Sequence, residues 1–259
     1  MGQRFSQFFP PAPAFTETSL PNLSGKVYIV TGASAGIGKE LSRLLYTHHA
    51  TVYIAARSAE KAHAAISYIK EACPDSKGTL HYLHLDLDDL SGIKASAESF
   101  LAKESRLDVL FNNAGVMVPP VGSTTKQGYE LQLGTNCVAP FLFTKLLTPI
   151  LLETVKKEAK GSVRVIWALN PGNLKTELGR NMNAVHHFFA NFMLYPTVNG
   201  AYTELFAGLA PGAAKLKTGE WVMPFGRVGT LRKDYWSETG KKTASAFWEW
   251  SEKQVEQYA

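Results

Sequence analysis

Thr31-Gly32-Ala33-Ser34-Ala35-Gly36-Ile37-Gly38 is the stretch whose reading decides the fold. It follows an apolar run, Val27-Tyr28-Ile29-Val30, with the length of a buried strand. It precedes residues 39–48, whose apolar positions recur at helical spacing. Strand, glycine turn and helix together form a layout that holds a pyrophosphate. Glycines let backbone approach the ligand, and the unpaired N–H groups at the helix start face its negative charge. The spacing is T-G-x-x-x-G-I-G rather than G-x-G-x-x-G, so the turn alone is a weak signal.

Downstream, strands and helices alternate. Strands are expected at 51–56, 80–85, 107–112 and 162–169, with helices at 59–71 and 90–103 and a long helical region at 126–159 bent near Pro140. This alternation predicts an α/β fold, a Rossmann-like, doubly wound parallel sheet with helices on both faces. After residue 169 the pattern changes. Asn170-Pro171-Gly172 reads as a turn, 174–180 as a short helix, 200–208 as a helix, 221–225 as a short terminal strand and 246–257 as an amphipathic helix. Residues 1–24, rich in Pro, Ser and Thr, read as an arm; 25–259 reads as a single domain.

Composition narrows the function classes. The 259 residues, 45% of them hydrophobic, suffice for a sizeable core. Cys73 and Cys137 form no disulfide framework, and no Cys/His cluster has metal-ligand spacing, so no metal site is expected. The net charge of +5 invites a nucleic-acid reading, but Lys and Arg are scattered with no basic stripe interleaved with aromatics, and nucleic acid is set aside. No secretory signal is visible, which predicts a cytoplasmic protein. Met1-Gly2-Gln3-Arg4-Phe5-Ser6 matches the loose acylation pattern M-G-x-x-x-S, with a plain disordered arm as the alternative. The long uncharged run at 181–203 carries four asparagines, two histidines and Pro196 and is a poor membrane span.

Taken in order, the motifs resemble the short-chain dehydrogenase/reductase superfamily. Thr31–Gly38 resembles its glycine turn, so Gly32, Ser34, Gly36, Ile37 and Gly38 are expected at the cofactor; the Ser34 hydroxyl also suits a helix cap. Asp86-Leu87 resembles the adenine-contacting segment. Asn112-Asn113-Ala114-Gly115 is the NNAG segment, whose Asn113, Ala114 and Gly115 line the cofactor. Asn136 falls where the family keeps a structural and catalytic Asn, and Lys145, nine residues on, is a candidate cofactor contact or a solvated helix face. Pro171-Gly172 with Thr176 resembles the nicotinamide-side PG…T segment. The tone of Val52–Arg57 and of Leu133-Gly134-Thr135-Asn136 is similar to the retinol-dehydrogenase-like branch common in fungi. The resemblance covers about residues 24–225.

Arg57 selects among cofactors. In NAD-binders of this layout an acidic residue about 20 positions past the glycines holds the ribose 2′-OH. Here Arg57 stands at the end of strand two, and a guanidinium pairs with a 2′-phosphate. NADP is therefore expected, with Lys61 one turn further as a possible assistant.

The family's proton chemistry is missing. It requires a Tyr, a Lys four residues later that lowers the Tyr pKa, and a Ser after strand five that orients the substrate oxygen. None of the ten tyrosines has Lys four residues on, and Trp167-Ala168-Leu169 runs straight into Asn170-Pro171-Gly172. Two parallel strands need a crossover of about a dozen residues or more. Three residues separate Trp167 from Pro171, so the fold is expected to be shortened by about one β-α unit after strand five, leaving a marginally stable sheet with exposed apolar surface.

Residues 185–195 (VHHFFANFMLY) resemble the family's substrate lid, and the alternative is a helix packed on the sheet. An aromatic lid implies a hydrophobic alcohol or ketone as substrate, and the same stretch suits peripheral membrane contact. Subunit pairing in the family uses the absent helix, so homo-oligomerisation stays open. Two readings of the chain remain: a catalytically impaired form of an NADP-dependent oxidoreductase, spliced or read from wrongly drawn gene boundaries, or a non-catalytic NADP(H)-binding or partner-binding protein.

Overall fold

The computed structural model describes residues 2–167, 169–176, 194–217 and 220–259, and the side chains among them from residue 5 onward. Val27–Thr31 forms β1, and every residue in it is buried. A strand covered on both faces reads as a continuous apolar run, which is why this one carries no polar alternation. Thr51–Ala56 forms β2, Thr79–His84 β3, Val109–Phe111 β4 and Arg164–Ile166 β5. All neighbours in this sheet pair parallel, in the order β3-β2-β1-β4-β5. The chain is therefore a Rossmann-like α/β fold whose parallel sheet, among the described residues, has five strands and ends at β5.

Helices cover both faces. On one side Gly36–Thr47 (α2) and Ala59–Ala72 (α3) bury Leu41, Leu44, Leu45, Ile66 and Ile69. α3 begins at Ser58, whose hydroxyl accepts the Lys61 N–H at 3.3 Å. On the other side lie Ile93–Leu101 (α4) and a continuous helical run. That run starts at Leu131–Leu133 (α5), passes through a π-helical turn at Gly134–Val138 and ends as Ala139–Val155 (α6). Residues Leu131–Val155 are long and apolar enough to cross a membrane, yet more than half of their most apolar window is buried against the sheet, as in a core helix.

The ends of the strands opposite the glycine turn are tied by charge. Asp108 accepts the Val27 N–H at 2.8 Å and a two-pronged Arg106 contact at 2.9 and 2.6 Å, while Lys26 stands 3.3 Å away.

The open side of the sheet departs most from expectation. β5 is three residues long, not eight, and among the described residues no strand pairs with its outer edge; Val165 and Trp167 are each 37% exposed. The expected terminal strand forms as Glu220–Met223 (β6), but it pairs antiparallel with Arg227–Thr230 (β7) in a separate hairpin. The expected helix at 200–208 is Thr197–Leu209 (α7). The C-terminal helix begins at Glu238, eight residues earlier than its apolar spacing suggests, and runs to Val255 (α8). α8 lies on α6: Trp248 meets Phe141 edge-on at 5.0 Å, Glu252 pairs with Lys145, and Val255 is fully buried.

The N-terminal arm is ordered rather than loose. Gly2–Phe8 is a short helix (α1), Leu20 and Leu23 are buried in the core, and Phe15 packs edge-on to Phe206 at 6.1 Å. Hydrophobic residues scattered among prolines carry no periodicity, so their burial was invisible to pattern reading. The expected short helix at 174–180 is not helical in its described part, since Leu174 bridges to Tyr195. Residues 177–180 and nearly all of the lid stretch 185–195 lie outside the described residues.

α7 carries one buried acid. Glu204 is almost fully buried, and its Oε2 has no hydrogen-bond partner among the described residues. Burial raises its pKa to about 8. The folded chain thus keeps a proton that the unfolded chain releases above the ordinary carboxylate range. Stability conferred by this proton is full below that range and is lost as pH rises toward about 8, by on the order of a few kcal/mol. Urea unfolding at about pH 5 and pH 8 is expected to show this fall, and Glu204→Gln is expected to flatten it; equal slopes in the two proteins would show that Glu204 is not its source.

Candidate functional site

The C-terminal ends of β1, β2 and β4 open onto a cavity of about 470 Å³. Its floor is the glycine turn. Gly32 and Gly36 have φ of +66° and +56°, a region that residues with a Cβ rarely enter. Gly38 has an ordinary φ but no room: a Cβ there would lie 2.6 Å from Asn113 Nδ2 and 2.8 Å from the Gly32 carbonyl. The close approach arises because two loops are clamped together. Asn113 Nδ2 donates to the Thr31 carbonyl at 2.8 Å, and the Ala114 N–H donates to Thr31 Oγ1 at 2.9 Å. Ala35, not Ser34, is the N-cap of α2, and it offers no capping side chain. The first N–H groups of α2 therefore lack a side-chain partner at the cap, the arrangement that suits a phosphate.

Of the residues named from sequence, Gly32, Ser34, Gly36, Ile37, Arg57, Asp86, Leu87, Asn113, Ala114, Gly115 and Thr176 line this cavity. Arg57 is exposed at its edge, and its guanidinium makes no ion pair among the described residues. Asp86 accepts the Asp88 N–H at 3.1 Å. Asp89 caps the following turn by accepting the Ser91 N–H at 3.0 Å, and it pairs with Lys126 at 2.8 Å, which holds its carboxyl far below the usual range. Thr176 reaches over the glycine turn toward Gly36.

Asn136 sits in the π-helical turn and does not line the cavity. Its Oδ1 accepts the Val116 N–H at 2.8 Å and its Nδ2 donates to the Val116 carbonyl at 2.9 Å, so it pins the loop that follows Gly115. A π-turn widens the helix locally and often marks a functional site. Gly172, at φ +98°, packs against Phe225 and Pro224, and the Pro171 carbonyl faces Thr203 Oγ1 at 3.4 Å. Pro171 and Gly172 thus lie behind Thr176 rather than in the cavity wall. Lys145 is also outside the wall, its ammonium paired with Glu252 on α8.

Pattern reading missed Val116, Leu131 and Thr135, which close one wall. They come from a loop and a helix start that only tertiary packing brings beside β4. No tyrosine or lysine lines the cavity among the described residues. Tyr195 stacks edge-on to Phe225 at 5.1 Å, and burial together with a hydrogen bond to Glu17 pushes the Tyr202 hydroxyl up to about 12. Neither pairs with a lysine ammonium among the described residues.

The family model for short chain dehydrogenases matches residues 26–167, from the start of β1 to the end of β5. The chain belongs to the short-chain dehydrogenase/reductase family. This is an oxidoreductase family that uses nicotinamide cofactors. A short-chain dehydrogenase/reductase of Phomopsis amygdali is 45% identical over 322 aligned positions, covering 98% of this chain and 96% of the relative. One of Emericella nidulans is 42% identical over 306, covering 95% and 97%. Both relatives are fungal. A solved structure from Mycobacterium paratuberculosis shares the fold, with a TM-score of 0.61 and 23% identity over 93% of this chain and 97% of its own. The Phomopsis alignment spans 322 positions against 259 residues here, so at least 63 (322 − 259) positions of that relative have no counterpart in this short-chain dehydrogenase.

Proposed function

We propose that this chain is the cofactor-binding part of an NADP-dependent oxidoreductase whose substrate is a hydrophobic alcohol or ketone, lacking the segment that moves the proton. The observation that carries the reading is the clamped glycine turn, where Gly38 leaves no room for a Cβ. A tight turn needed only for folding has no use for an open cavity and a helix start without a capping side chain above it.

The residues present fit a dinucleotide. The amides from Gly32 to Gly38 suit its pyrophosphate, Arg57 a 2′-phosphate, Asp86 and Leu87 the adenine end, and Asn113 to Gly115 the wall behind it. Such a cofactor supplies hydride to a carbonyl carbon. The carbonyl oxygen then needs a proton from a placed donor, and neither the tyrosine nor the lysine that the family's chemistry calls for lines the cavity among the described residues. Between the end of β5 at Ile166 and Asn170 there is no space for the crossover that would bear one. The 63 or more aligned positions that have no counterpart in this chain are enough for such a unit and its connections.

Titration with NADPH, followed by cofactor fluorescence, is expected to give saturable binding. Gly38→Val is expected to weaken it at least about 100-fold, because the added carbons displace Asn113 or the Gly32 carbonyl from the clamp. Absence of binding by the unaltered chain would sink the reading. Sequencing transcripts across the Trp167–Asn170 junction separates a spliced form, which has a longer counterpart encoding Ser and Tyr-x-x-x-Lys, from a non-catalytic NADP(H)-binding protein, which has none.

A further inference from the structure

α1 is amphipathic the wrong way round for a helix that serves only the core. Its polar side faces the protein. Arg227 donates from Nη2 to the Ser6 carbonyl at 2.6 Å and from Nη1 to Ser6 Oγ at 3.3 Å, and Asn170 Nδ2 donates to Gln7 Oε1 at 2.8 Å. Its aromatic side faces out. Phe5, Phe8 and Phe9 are 67%, 53% and 54% exposed, and the Phe5 and Phe9 rings lie 5.1 Å apart. These hydrogen bonds fix the orientation that exposes three phenyl rings within five residues. Scattered exposed apolar residues need no explanation, whereas a fixed aromatic cluster does.

We propose that α1 seats the protein on the surface of an anionic bilayer, with Phe5, Phe8 and Phe9 in the headgroup boundary. Two observations favour lipid over a protein partner. The face is three phenyl rings on and just after a seven-residue helix, a small apolar patch that a fluid headgroup layer can take up without a shaped counterpart. The charge also matches: the chain has no acidic residue before Glu17, carries Arg4 on the same helix, and bears a net +5. The hydrogen bond from Asn170 to Gln7 ties the polar side of this helix to the residue before the Pro171-Gly172 turn.

The test is flotation of the full, unacylated chain with vesicles of phosphatidylcholine alone or mixed with phosphatidylserine. The protein is expected to float with the mixed vesicles, less at high salt, and the triple variant Phe5→Ser/Phe8→Ser/Phe9→Ser is expected to lose at least about tenfold in partitioning. Phe8→Trp reports the same contact without removing the apolar face, and the emission of its indole is expected to shift to the blue on adding mixed vesicles. Failure to float, a triple variant that floats as well as the parent, or an unshifted emission from the Phe8→Trp variant overturns the proposal. So does a dimer in sedimentation velocity that the triple variant abolishes, since the rings would then be covered by a second copy.

Discussion

Inserting a strand–helix segment that carries a serine and Tyr-x-x-x-Lys between Trp167 and Asn170 is expected to raise NADPH-dependent carbonyl reduction by about 10²–10⁴-fold. That range is what a positioned general acid contributes. The chain without the insert is expected to turn over far below the ~1–10³ s⁻¹ of ordinary enzymes. The physical reason is the cavity wall. It offers amides, apolar side chains, serine and threonine hydroxyls, Arg57 and two aspartates, but no tyrosine or lysine among the described residues. Hydride arriving at a carbonyl carbon would leave an alkoxide with no tyrosine–lysine pair beside it among the described residues. The insert has a second readout, because its strand would pair with the open edge of β5 and cover Val165 and Trp167. The melting temperature is therefore expected to rise along with activity. Ordinary turnover by the pure, uninserted chain would show that another group supplies the proton.

Replacing Arg57 by Glu is expected to weaken NADPH binding by about 30- to 150-fold while leaving NADH binding equal or stronger. The figure corresponds to about 2–3 kcal/mol for one charge-assisted contact. The carboxylate would repel the 2′-phosphate yet suit a free ribose 2′-hydroxyl. Arg57 is placed for this at the edge of the cavity, with no carboxylate paired to it among the described residues. The ratio of the two dissociation constants is the quantity to measure. If Arg57 were only a solvated surface residue, that ratio would not move.

Much of the cofactor half was legible because it is local. A strand, a turn and a helix occupy residues 27–47, and their spacing alone prescribes backbone that approaches a ligand. The same holds for β2 with Arg57 and for β4 with Asn113 to Gly115, each of which is one strand and the turn after it. Thr135 and Leu131 were not legible at the site. They reach it through a helix start, and the helical pattern there does not announce which face looks at a cavity. Lys145 shows the limit most plainly. Its position nine residues after Asn136 fits a site role and a surface role equally, and a partner more than a hundred residues later, Glu252, took it.

The sequence by itself determined the parallel sheet, the glycine turn that opens it and the lack of a Tyr-x-x-x-Lys pair, because each follows from spacing within a few dozen residues. Only the tertiary structure decided what lies around the gap. β6 left the main sheet to pair with β7, α8 lay down on α6, and the arm packed its leucines and Phe15 while turning Phe5, Phe8 and Phe9 outward. Those outcomes depend on apolar surfaces distant in sequence finding one another, and no local period encodes which of them will meet.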